Sequence, residues 1–297
     1  MEVQTKLNIK INDLANEPKF KVLICNTKCN KNSFAGKILG LKLSEWVAFA
    51  CENVPFEVVD YDKQLSLIDF AKKHVDYAYD YTIILLSNTP LITNDTIQNI
   101  IEYCKVKKIK LCKLNVGYVV SNEYLKSQEN LLVDSIYTQN ADDFYLVENK
   151  SQFTYAFKIL SERINNFHIN NGVEILSPTS TYIEPFVDIS SGVTIYPNNS
   201  LKGKTTLSDN VILKENNVIE NSKIGKGSCI SGSEINGTIV SNNVYIASFC
   251  EIKNCIIGND VIIEKGCSLK NTNVESNQKI KTNGVIDNTN DSNSGVR

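Results

Sequence analysis

The sequence predicts a Rossmann-like α/β domain followed by a left-handed parallel β-helix of hexapeptide repeats, and three features lead there. Short apolar runs alternate with helical stretches through residue 148, an amphipathic segment covers 149–172, and from residue 173 aliphatic side chains return every six positions. The expected organisation is a polar lead-in over 1–19, an α/β domain over 20–148, a linker helix over 149–172, a β-helix over 173–274 and a disordered tail over 275–297.

The first strand is expected over 20–25 and the first helix over 34–51, where Ile38, Leu41, Trp46, Val47 and Phe49 fall near one stripe. A strand over 56–59, a helix over 64–74, an uninterrupted apolar strand over 81–86 and a helix over 93–104 follow. Strands alternating with helices imply a mostly parallel sheet. Ligands of such sheets sit beyond the carboxyl ends of the strands, which directs attention to the stretch after Cys25 and to residues 87–91. Lysines 105–113 alternate with apolar residues and read as one solvated strand face. In the linker, Phe153, Phe157, Leu160, Ile164 and Phe167 recur at spacings of four and three, as one helix stripe does.

The repeat then begins. Ile183, Ile189, Ile195, Leu201, Leu207, Leu213 and Ile219 keep an unbroken interval of six, and after a one-residue slip Ile224, Ile230, Val240, Ile246, Ile252, Ile257, Ile263 and Leu269 continue it. Four residues after many of these stand small or β-branched residues such as Val193, Thr205, Val211, Ser228, Val244 and Cys267. Each hexapeptide would form one flat face of a triangular prism with its aliphatic residue inward. Asn198, Asn210, Asn216, Gly225, Asn242 and Asn259 suit the corners, where left-handed backbone is wanted. About five coils fit between Ile183 and Leu269. The tail after residue 274 is rich in Asn, Ser and Thr, hence the expectation of disorder.

Composition narrows the function classes. The 31 basic residues nearly balance the 33 acidic ones, so the field of a dedicated nucleic-acid binder is missing, and no run of about 18 apolar residues marks a membrane span. Nine scattered cysteines without a CxxC pair, and only two histidines, argue for reduced thiols rather than a metal cluster. A cytoplasmic protein with a small-molecule partner, no nucleic acid and no membrane is expected.

Several segments resemble a known family. Asn149-Lys-Ser-Gln-Phe with the helix after it, Asn171-Gly-Val-Glu-Ile-Leu-Ser-Pro-Thr-Ser-Thr-Tyr-Ile-Glu, and Val193-Thr-Ile-Tyr-Pro-Asn-Asn-Ser-Leu-Lys-Gly are similar to the bifunctional bacterial enzyme that makes UDP-N-acetylglucosamine. Leu85-Leu-Ser-Asn-Thr-Pro-Leu-Ile-Thr resembles that family's Gly-Asp-x-Pro-Leu strand end, and Asn115-Val-Gly-Tyr resembles its sugar-contacting Asn-x-Gly-x-Tyr segment. The resemblance implies a nucleotidyltransferase-like domain that joins N-acetylglucosamine-1-phosphate to UTP, followed by a β-helix that assembles as a homotrimer and, in the family, transfers acetyl groups. It also implies substrate contacts at Asn88 and Asn115, and a magnesium site at Asn88, where the family has Asp, with Glu148, where the family has Asn.

The departures bear on activity. The family's glycine-rich phosphate loop is replaced here by Ile24-Cys-Asn-Thr-Lys-Cys-Asn-Lys-Asn, leaving Lys28, Lys31 and Lys37 as the candidate phosphate contacts. Asn88 offers magnesium a neutral oxygen where a hard cation prefers a carboxylate. The family's uracil-recognising stretch has no counterpart between residues 66 and 82, and His74 reads as a helix-end residue. The β-helix carries no histidine after His168 to serve as general base, and the sequence stops before the family's acetyl-CoA-binding coils, so acetyl transfer is disfavoured. Two readings stay open: a nucleotide-sugar protein related to the uridylyltransferases with impaired or lost catalysis, and a non-catalytic hexapeptide scaffold or nucleotide-sugar sensor.

Overall fold

The computed structural model describes residues 17–27, 36–62, 64–127 and 131–288. The chain divides into two compact units, Met1–Ala156 and Phe157–Arg297.

The first unit is an α/β layer structure. Its strands are β1 (Phe20–Thr27), β2 (Phe56–Tyr61), β3 (Tyr81–Leu86), β4 (Leu111–Lys113), β5 (Tyr118–Ser121) and β6 (Ser135–Ile136), and its helices α1 (Leu43–Ala50), α2 (Leu67–His74), α3 (Asn94–Lys107) and α4 (Asn122–Ser127). The sheet order is β2-β1-β3-β5-β4-β6, parallel except that β5 runs against both β3 and β4. β3 is central and its Thr82, Ile83, Ile84 and Leu85 are buried on both faces, as its unbroken apolar run requires. One face packs on Ile97, Ile100 and Cys104 of α3 and Val47 of α1, the other on Phe70 and Ala71 of α2 and Leu125 of α4.

Sequence periodicity misplaced several boundaries. Helix α1 begins nine residues later than the stripe suggested: Leu39 and Gly40 take left-handed backbone in a tight turn between Ile38 and Leu41, and Trp46 Nε1 donates to the Ile38 carbonyl at 2.9 Å, which buries those apolar residues without a helix. Residues 34–35 of that expected helix lie outside the described residues. The lysine-rich stretch is not one strand. α3 runs through Lys107, Lys108 caps it in left-handed conformation, and only Leu111–Lys113 is extended.

The second unit begins within α5 (Lys150–Asn170). Its buried stripe differs from the expected one: Leu160, Asn165 and His168 are buried, Ile164 packs on the β-helix core, and Phe167 is exposed. Asn165 Nδ2 donates to the carbonyls of Pro178 (2.8 Å) and Thr181 (3.2 Å), so the helix covers the open end of the solenoid and satisfies its first backbone acceptors.

The β-helix has three flat faces of parallel strands. The first runs from Glu174–Ile175 to Lys279–Ile280, the second from Tyr182–Ile183 to Val285–Asp287, and the third from Asp188–Ile189 to Asn273–Val274, with seven, seven and six strands. Every residue of the six-fold series is buried, and one face stacks Ile195, Leu213, Ile230, Ile246 and Ile263 in register. Ile183, Leu201, Ile219, Ile235, Ile252 and Leu269 stack on the second face, so five coils separate Ile183 from Leu269 as expected; the whole solenoid has about seven, because it begins at Glu174 and because residues 275–288, expected in a disordered tail, wind its last coil with Ile280 and Ile286 packed on the core.

The slips in the repeat have a structural cause. From the second face to the third the turn shortens to one left-handed residue and one small inward residue: Asn221-Ser222, Gly237-Thr238, Asn254-Cys255 and Asn271-Thr272. Ile235, which the six-fold reading skips, is buried because Gly232-Ser233 makes the same short turn before it. Of the expected corner residues, Asn198, Asn210 and Asn216 are left-handed, whereas Gly225, Asn242 and Asn259 are not. There Gly227, Asn243 and Asp260 take the left-handed position, and the Asn242 and Asn259 side chains accept from the Lys226 and Asn242 amides of the preceding coil, each at 3.0 Å.

Candidate functional site

The parallel register puts the carboxyl ends of β1, β2 and β3 side by side, with Asn26 opposite Asp60 and Cys25 opposite Leu86. Asn26 Nδ2 donates to Asp60 Oδ1 at 2.9 Å, Ser87 Oγ donates to Asn26 Oδ1 at 3.3 Å, and the Ser87 amide donates to the Cys25 carbonyl at 3.0 Å. Three polar side chains from distant segments thus line the sheet edge at which open α/β folds bind ligands. No local sequence pattern singles out Asn26 or Asp60. Only the strand register brings the two together.

Asn88 follows immediately and is buried. Its carbonyl accepts from the Val147 amide at 2.9 Å and its Nδ2 donates to the Val147 carbonyl at 3.4 Å, which fixes the segment before α5 against the end of β3. Asn88 Oδ1 is enclosed without a hydrogen-bond partner. An enclosed amide oxygen left without a donor is costly and is an exception that calls for an explanation.

Glu148 is therefore brought beside Asn88 by its chain neighbour Val147, and its side chain is exposed. The Glu148 and Asn149 amides both donate to Gln152 Oε1, at 2.8 and 3.1 Å, while the Gln152 amide donates to Asn149 Oδ1 at 3.0 Å. This reciprocal cap makes Asn149 the start of α5 and leaves the Glu148 carboxylate unused by the helix.

Asn115 is exposed on the turn between β4 and β5. β5 pairs antiparallel to β3 with Tyr118 opposite Ile84, so the residues preceding Tyr118 run towards the carboxyl end of β3 and carry Asn115 to the same edge as Ser87. Gly117 makes this possible: its φ is +103°, and a Cβ there would lie 2.0 Å from the Ile84 oxygen. Lys37 is exposed ahead of the Ile38–Leu41 turn. Lys28 and Lys31 lie outside the described residues, as does Cys29.

Around this edge the helix start of α3 is held by an acid. Thr93 accepts from the Thr96 amide at 3.2 Å, and both threonine hydroxyls donate to Asp143 from the short 3-10 turn Ala141–Phe144. Asp143 is thus a structural acid at a helix N-terminus. Burial pushes the Cys25 thiol up to about 12, so it stays protonated at neutral pH and is no nucleophile. Burial also lowers the pKa of His168, a shift that the Asp188 carboxylate partly opposes, and His168 packs in the second unit rather than at this edge. Among the described residues no three His, Cys, Asp or Glu side chains cluster as a metal site.

Comparison with known proteins agrees with these segments. Residues 189–295 match the family described as GlmU-like, C-terminal hexapeptide. The chain is 26% identical over 223 residues to the bifunctional protein GlmU of Clostridium beijerinckii, an alignment covering 63% of this chain and 48% of that protein. It is 34% identical over 127 residues to GlmU of Bacillus velezensis (43% and 28% covered) and 32% identical over 158 residues to GlmU of Caldanaerobacter subterraneus subsp. tengcongensis (53% and 31%). The chain spans less than half the length of each of these relatives.

Proposed function

We propose, from the similarity to the bifunctional GlmU proteins, that the α/β unit binds a nucleotide sugar or sugar phosphate at the carboxyl ends of β1 and β3, with uridylyl transfer impaired or lost. The observation that carries this reading is the enclosed, partnerless Asn88 Oδ1 at the edge where such folds bind ligands. Asn115 stands at the same edge to contact the sugar, and Lys37 is free to meet phosphate charge together with Lys28 and Lys31 from the preceding segment.

An orphaned amide oxygen next to the segment that bears an exposed carboxylate also fits a hard cation that shares its shell with ligand phosphates. Asn88 and Glu148 would hold magnesium, which would neutralise phosphate charge. The chain's own residues position the ligand. With a neutral Asn88 and a protonated Cys25, they supply little of the charge stabilisation that phosphoryl-type transfer needs. The lack of a histidine after His168 argues likewise against acetyl transfer by this β-helix. By the same family analogy the protein is cytoplasmic and assembles as a homotrimer through the β-helix; no helix among the described residues is long and apolar enough to cross a membrane.

Calorimetric titration with UDP-N-acetylglucosamine and with UTP, each with and without magnesium, tests the reading. Binding of either ligand supports it, and stronger binding with magnesium assigns the ion to the site. No heat with either ligand leaves a structural hexapeptide scaffold.

A further inference from the structure

Asp60, Asn26 and Ser87 stand level across three neighbouring parallel strands. Asn26 is opposite Asp60 and Cys25 is opposite Leu86, so Ser87 follows at the height of Asn26. Their hydrogen bonds run in one direction: Ser87 Oγ donates to Asn26 Oδ1 at 3.3 Å, which turns the Asn26 amide nitrogen to donate to Asp60 Oδ1 at 2.9 Å. Ser87 is buried, Asn26 half-buried and Asp60 exposed, so the chain starts inside the fold and ends on a carboxylate at the surface. The backbones of β1 and β2 already pair at this height. What the side chains add is an acceptor held in one orientation at the sheet edge, and an acceptor fixed in advance takes a donor at lower entropic cost.

Charge decides which part of a ligand belongs there. A carboxylate repels phosphate oxygens and accepts from hydroxyl groups, and it has room for about four hydrogen bonds, so the one from Asn26 does not exhaust it. The far end of the same edge has other chemistry: Asn88 encloses an amide oxygen without a partner, and Asn115 adds a neutral amide on the turn between β4 and β5. β1 lies between β2 and β3, so Asp60 stands two strand spacings, about 10 Å, from the end of β3 that carries Asn88. A ligand that touches both ends therefore presents hydroxyl groups to each and keeps its phosphates between them. A nucleoside diphosphate sugar has this order of parts: ribose, diphosphate, hexose.

We propose that Asp60 binds the ribose hydroxyl groups of a nucleoside diphosphate sugar whose hexose lies against Asn88 and Asn115, with Asn26 and Ser87 as its positioning residues. The proposal rests on the nucleotide-sugar reading above and gives the ligand a direction along the sheet edge. An acid beyond the first strand plays this part in doubly wound dinucleotide-binding folds, where it accepts from the ribose 2′-hydroxyl. The consequence is a preference for ribose over deoxyribose, because a ligand without the 2′-hydroxyl covers the carboxylate and gives it no donor in return.

Calorimetric titration of the full chain in magnesium tests this, with UDP-N-acetylglucosamine and its 2′-deoxyuridine analogue as ligands and with wild type, Asp60→Asn and Asp60→Ala as proteins. Asparagine keeps the size of the side chain and an oxygen for the Asn26 amide, so the strand ends stay as they are, and unchanged circular dichroism and melting verify the fold of both variants. Wild type is expected to bind the ribose ligand at least about tenfold more tightly than the deoxyribose one, the effect of one hydrogen bond to a charged acceptor. That preference shrinks in Asp60→Asn and is gone in Asp60→Ala, while affinity for the deoxyribose ligand stays at the wild-type value. A wild type without the preference, an Asp60→Ala that retains it, or an equal loss of affinity for both ligands overturns the ribose assignment and leaves the nucleotide-sugar reading standing. A wild type that binds neither ligand overturns that reading as well.

Discussion

Asn88→Leu separates binding from stability. The wild-type side chain is 6% exposed, makes one long hydrogen bond of 3.4 Å to the Val147 carbonyl, and encloses an oxygen with no partner. An unsatisfied buried acceptor costs about 1–3 kcal/mol, while a bond at the limit of hydrogen-bond geometry returns no more than about 0.5–1 kcal/mol. Leucine is similar in size, removes both, and adds apolar surface to a site bordered by buried Val147. The ligand-free variant should therefore be about 1–2 kcal/mol more stable. At about 2–4 °C per kcal/mol, that is a rise of several degrees in the melting temperature of the α/β unit. The same variant should lose nucleotide-sugar binding in calorimetry, the stability–function conflict expected of a polar group retained for a ligand. A variant less stable than wild type by 1 kcal/mol or more would refute the reasoning, because the oxygen would then have a stabilising partner; so would a more stable variant with undiminished affinity.

Two further outcomes are expected. Ile246→Ala, in the middle of the stack between Ile230 and Ile263, should cost about 3–4 kcal/mol in urea denaturation, whereas Ile286→Ala in the half-buried last coil should cost less than about 1.5 kcal/mol; equal costs would contradict a solenoid in which each coil leans only on its neighbours. Burial holds the pKa of His168 below its usual 6.5, so the unfolded chain takes up the proton first: stability is full above pH 6.5 and falls as pH drops below it, and denaturation of His168→Gln should lack this slope if His168 is its source.

The β-helix was legible because each coil repeats one demand, an aliphatic side chain pointing inward at a fixed interval, and nothing but the turn length disturbs it. Ile235 escaped because two five-residue steps flank it, Ile230 to Ile235 to Val240. The last coil escaped because Ile280 and Ile286 are surrounded by Asn, Thr and Lys that face water, a composition shared with disordered chain. In the α/β unit, β3 announced itself by its two-sided burial, but the apolar residues 38–41 fit a helix stripe equally well until Gly40 is seen to turn the chain. Asn88, Asn115 and Glu148 were reachable through short motifs. The Asn26–Asp60–Ser87 chain of hydrogen bonds was not, since it depends on how three parallel strands align rather than on any local pattern.

The most direct test of the binding site is amide hydrogen exchange of the full chain with and without saturating UDP-N-acetylglucosamine and magnesium. The account predicts slowed exchange at residues 87–89, 115–118 and 146–149, the three segments that meet at the end of β3, with the β-helix unchanged. Protection confined to the β-helix, or none at these segments under conditions where the ligand binds, would contradict it.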